Sequence, residues 1–91
     1  MDNQYILKKM TKDEITKEVK EIIALNSRYA FDEIKITDRV DKFITTFMKA
    51  KFARRIQARF DIPVTRLTNE LHVSIKKVSQ LVDFIDNIIN Q

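Results

Sequence analysis

The sequence predicts a small all-α domain of four or five helices, and three observations carry that prediction. Apolar residues recur at three- and four-residue spacing. The 91 residues include no glycine and a single proline, Pro63. Helix-capping residues stand at the heads of the periodic segments. Without glycine, a turn that needs positive φ must fall on Asn, Asp or His, which disfavours hairpins. With 44% apolar and 33% charged residues the chain belongs to the globular class. Its length suits one domain over residues 1–91, with a thin core and a flexible stretch over the first ten residues.

Thr11-Lys12-Asp13-Glu14 reads as a capping box, because the Thr11 hydroxyl and the Glu14 carboxylate can each satisfy a free N–H at a helix start. Ile15, Val19, Ile22 and Ile23 then place a stripe on one helix running to about Asn26. Periodicity lapses from Ser27 to Thr37, the expected connection. It returns with Val40, Phe43, Phe47, Phe52, Ile56 and Phe60, enough for one helix or for two that meet near Thr45-Thr46. The phenylalanines fall mostly at helical spacing and read as core. After Asp61-Ile62-Pro63 two helices are expected, Thr65 to Leu71 and Ser74 to about Asn90, with Thr65 and Ser74 as N-caps.

The net charge of +4 lies wholly in the second half: residues 1–45 carry nine basic and nine acidic side chains, residues 46–91 eight and four. The densest part, Lys49, Lys51, Arg54, Arg55, Arg59 and Arg66, suits a polyanionic partner. No cysteine is present, so disulfides and thiolate sites are excluded and a reducing, cytoplasmic setting is the easy fit. The longest apolar run, Ile22-Ile23-Ala24-Leu25, is far too short to span a membrane. His72, the single histidine, reads as a turn residue. No serine has a nucleophile's partners and no glycine loop can cradle phosphate, so neither an enzyme nor a cofactor or metal site is expected.

The segment Leu67-Thr68-Asn69-Glu70-Leu71-His72-Val73-Ser74-Ile75-Lys76-Lys77-Val78-Ser79-Gln80-Leu81 resembles a helix-turn-helix DNA-binding motif of the LuxR output-domain type, within residues 64–82. Leu67, Leu71, Val73, Val78 and Leu81 would fill the crossing of the two helices. His72 stands where glycine is usual, Thr68 where alanine is usual and Lys77 where threonine is usual. The resemblance implies a recognition helix capped by Ser74, with Ile75, Lys76, Lys77, Ser79 and Gln80 on its exposed face. Lys76, Lys77 and Gln80 would meet base edges, while Ser79, Arg66, Arg54, Arg55 and Arg59 would meet phosphates. The function implied is that of a small transcriptional regulator or a plasmid or phage accessory factor on double-stranded DNA. Such proteins usually bind as homodimers, and the helix over residues 12–26 is the expected dimer element.

A second resemblance spreads over more of the chain. Val19-Lys20-Glu21-Ile22-Ile23, then Phe47 through Phe60-Asp61-Ile62-Pro63-Val64, then Ile75 through Val78, Leu81, Val82, Phe84 and Ile85, look like an acyl or peptidyl carrier domain. Such domains attach phosphopantetheine to a serine at the head of their second helix, where Thr46 stands here. The usual acidic second helix is replaced by Lys49, Lys51, Arg54 and Arg55. This resemblance implies a helical module without the cofactor that binds partner proteins.

Overall fold

The computed structural model describes residues 10–90. Residues 1–9, which hold nearly all of the expected flexible stretch, and Gln91 lie outside the described residues. Four α-helices follow in order: α1 over Lys12–Leu25, α2 over Lys49–Phe60, α3 over Val64–Val73 and α4 over Val78–Ile89. Single 3-10 turns at Phe31–Glu33, Val40–Lys42 and Thr46–Met48 punctuate the long connection from α1 to α2. The described residues contain no strand, only an isolated antiparallel bridge between Arg39 and Lys77. None of their helices is long and apolar enough to cross a membrane.

The capping box forms as the sequence predicts. Thr11 Oγ1 accepts from the Glu14 N–H at 3.1 Å, and the Thr11 N–H donates to Glu14 Oε1 at 2.8 Å. The stripe Ile15, Val19, Ile22 and Ile23 is fully used inside the chain, packed chiefly against α4 and α2. The dimer element expected over residues 12–26 therefore has no spare apolar stripe.

A connection of 23 residues, 26–48, with no α-helix or strand, only those three short turns, is unusual in so small a domain. Here Ile34, Val40, Phe43 and Ile44 anchor it in the core, and Tyr29 meets Phe43 edge-on with ring centroids 4.8 Å apart. Val40, Phe43 and Ile44 share one helical turn and serve as these anchors. The stretch expected to be helical from Asp38 therefore holds one turn, and the helix proper starts after the break at Thr45-Thr46.

The α2 helix ends at Asp61, which takes the left-handed conformation (φ 58°, ψ 51°) and returns its N–H to the Gln57 carbonyl at 2.7 Å. Among the described residues this is the only positive φ, and it falls on Asp rather than on His72, which sits within α3. Ile62 is buried just beyond, and Pro63 leads into α3.

The C-terminal pair departs most from expectation. The last helix begins at Val78 instead of Ser74, because residues 76–79 are held by the long connection. The Val40 N–H donates to the Lys76 carbonyl (2.8 Å), the Val78 N–H to the Asp38 carbonyl (2.9 Å) and the Ser79 N–H to the Ile36 carbonyl (2.9 Å). Lys77 is consequently extended (φ −108°, ψ 156°), and α4 starts just after it, with the free N–H groups of Val78 and Ser79 satisfied by the connection. The two helices also choose other partners, α3 lying chiefly on α2 and α4 chiefly on α1. Leu67, Leu71, Val78 and Leu81 are buried as predicted, but Val73, expected at the helix crossing, is 67% exposed.

Candidate interaction surface

Three segments come together where the long connection meets the heads of α2 and α4. The bonds from residues 36–40 to residues 76–79 tie the connection to the turn before α4. Lys49, in the first turn of α2, closes the third side. Its side chain is buried, and Nζ donates to the Leu71 carbonyl at the end of α3 (3.1 Å) and pairs with Asp41 Oδ1 (3.1 Å). One ammonium thus joins the connection, α2 and α3. The hydrogen bond from Lys49, with the attraction of Lys49, Arg39 and Lys76, holds the Asp41 carboxyl below the usual aspartate range.

The connection carries two large apolar side chains in solvent, Ile36 at 44% exposure and Phe47 at 94%, and the end of α3 carries a third, Val73 at 67%. Phe47 breaks the expectation that it belongs to the core stripe. The buried positions of α2 are Lys49, Phe52, Ala53, Ile56 and Phe60, and Met48 stands four residues before Phe52. Phe47 stands five before it, off the stripe, and that register was the available signal. Lys49 does fall on the stripe, so it is a strut rather than one of the solvent-facing cations. Arg39 of the connection, Lys51 and Arg54 of α2, and Lys76 and Lys77 before α4 are all exposed.

The expected DNA-contacting residues divide into separate groups. Arg54 and Arg55 are exposed on α2 and, like Lys51, form no ion pair among the described residues. Arg59 is paired with Glu18 of α1, and the Arg66 guanidinium lies 5.4 Å from the centre of the Phe84 ring, where a cation is held by the ring face. The Ser74 hydroxyl donates to the Glu70 carboxylate rather than capping a helix.

Gln80 Oε1 accepts the N–H groups of both Lys76 and Lys77 at 2.8 Å, so this amide is occupied in capping α4. Lys76 Nζ reaches the His72 carbonyl at 3.5 Å, and Ser79 is half-buried beside the connection. Ile75, expected on the exposed recognition face, is 4% exposed and belongs to the core. Lys76 and Lys77 precede α4, and Ser79 and Gln80 form its first turn. The residues assigned to one groove-facing helix thus lie on an extended segment and a helix cap.

Thr45 and Thr46 are exposed in the turn that leads into α2, and no described residue caps the helix through either side chain. Among the described residues, no three His, Asp or Glu side chains gather as a metal would need. The chain matches no known protein family, no curated protein and no solved structure.

Proposed function

We propose that this chain is a non-catalytic docking module that binds an acidic segment of another protein. The recognition surface is formed by Ile36, Phe47 and Val73 among the cations Arg39, Lys51, Arg54, Lys76 and Lys77. The carrying observation is Phe47, a phenylalanine almost wholly in water at the head of a helix whose exposed face is basic. A soluble domain gains nothing in folding from such a side chain, whereas aromatic anchors ringed by Arg are what protein interfaces bury.

The same arrangement fits the carrier resemblance. That resemblance implies a hydroxyl residue at the head of the second helix, and Thr46 stands in the turn that leads into α2. Thr46 in place of serine makes the module one that docks without phosphopantetheine. Reversal of charge on the second helix selects an acidic partner.

DNA binding is the second reading, and the exposed, unpaired Lys51, Arg54 and Arg55 favour it. An extended polyanion has no use for Phe47, which is why it stands second. Fluorescence anisotropy with a labelled amphipathic peptide of Leu and Glu separates the two, with a mixed-sequence duplex as comparison. The docking reading predicts that Phe47→Ala weakens peptide binding about tenfold and that Arg54→Ala with Arg55→Ala weakens it at low salt. Tighter duplex binding, indifferent to Phe47→Ala and steeply salt-dependent, would establish the second reading instead.

A further inference from the structure

A different surface, on the far end of α1, has its own chemistry. Leu25 is 80% exposed at the end of that helix and stands as a knob between two hollows. One hollow, of about 530 Å³, is lined by Lys17, Glu21, Ala24, Leu25 and Phe31. The other, of about 380 Å³, lies between Glu18 and Glu21 of α1 and Arg55 and Arg59 of α2. Phe31, itself 36% exposed, has the Lys20 ammonium 5.6 Å from its ring centre.

We infer that this surface pairs two copies of the chain about a two-fold axis, each Leu25 seating in the other copy's apolar hollow beside Ala24 and Phe31. Two features select a second copy as the occupant. A two-fold contact requires one patch to hold both the projecting and the receiving part, since each residue's contact is repeated in reverse. Leu25 and the hollow beside it meet that requirement on a single helix face.

Charge supplies the other argument. An acidic protein segment, nucleic acid or an anionic membrane would set like charge against Glu21, which lines both hollows. Glu18 is already held by Arg59 within the chain, but Glu21 beside Lys17 and Arg55 leaves a face of both signs that is complementary to itself, because Glu21 of one copy can meet the cations of the other. The apolar stripe of α1 is in the core, so pairing uses the opposite face of the helix from the one its periodicity marks. The inference is independent of what binds at Phe47.

Sedimentation equilibrium on the full chain tests it. Between about 10 μM and about 1 mM, the range of modest interfaces, the mass should rise from that of the 10.8 kDa monomer toward twice that value. Leu25→Asp should weaken pairing by about tenfold or more, and Phe47→Ala should leave it unchanged. Thermal unfolding of Leu25→Asp should stay close to that of the parent, because the side chain is solvent-exposed. A monomer at every concentration would overturn the inference. So would pairing as tight in Leu25→Asp as in the parent, or pairing lost through Phe47→Ala.

Discussion

Phe47 and Phe52 stand five residues apart at the head of one helix, and truncating each to alanine should have opposite consequences. Phe52 is 1% exposed and enclosed by the core, so Phe52→Ala removes a full aromatic ring from a packed site at a cost of about 3–5 kcal/mol. A 91-residue domain has in total roughly 5–14 kcal/mol of stability. With each 1 kcal/mol worth about 4–8 °C in Tm at this size, Phe52→Ala should lower the midpoint by ~12 °C at the least. Phe47 is 94% exposed, so Phe47→Ala removes almost no buried area and should change stability by no more than about 0.5 kcal/mol. Circular dichroism at 222 nm, followed against temperature and against urea, reads both. Equal losses, or a loss above about 1.5 kcal/mol from Phe47→Ala, would mean that Phe47 is packed and that the docking surface has no apolar centre.

Three further outcomes follow from local geometry. Asp61→Gly should stabilise by about 0.5–1 kcal/mol in a urea titration, because glycine carries no Cβ penalty at the left-handed φ of 58°. Thr11→Ala should cost about 1 kcal/mol by the same measurement, through loss of the oxygen that accepts the Glu14 N–H. The folded pKa of Asp41 is depressed, first by the hydrogen bond from Lys49. Its stabilisation is therefore present above the unfolded value and lost as pH falls through the folded one. Asp41→Asn should accordingly lower the urea midpoint near neutral pH, with the gap to the parent closing below the usual aspartate range. A gap that stays constant into acid would refute the pairing.

The helices were legible where local signals agree with packing. The capping box at Thr11 and the stripe Ile15, Val19, Ile22 and Ile23 depend on neighbours three and four residues away, so they can be read without the fold. The long connection could not be read in this way. Val40, Phe43 and Ile44 have helical spacing because they share one real helical turn, in which the Phe43 and Ile44 N–H groups both donate to the Val40 carbonyl, and periodicity does not show that the helix stops there.

The start of α4 was hidden for a non-local reason. Ser74 is a good cap type, but the bonds between residues 36–40 and 76–79 hold Lys77 extended and set the helix start after it, and their partners lie about forty positions away. On the candidate surface, the basic character of α2 was plain from composition, whereas Lys49 as a buried strut depends on Asp41 and Leu71, which only the fold brings near. Phe47 was readable from its offset against Phe52, Ile56 and Phe60. Val73 was not, since α3 lies against α2 rather than α4, and neither was Ile36, which stands in the connection where periodicity lapses.

The central claim, that an acidic protein segment docks on Ile36, Phe47 and Val73 and the cations around them, is tested most directly by mapping the bound surface. Titrating the 15N-labelled chain with the unlabelled amphipathic peptide of Leu and Glu, and following backbone amide shifts, requires no prior choice of site. The account predicts shifts concentrated in residues 36–41, 46–55 and 71–77, with Glu18, Glu21 and the outer face of α4 unmoved, and the same shifts weakened in Phe47→Ala. Absence of shifts at saturating peptide, or shifts centred on α1 and α4 with Phe47 silent, would contradict it.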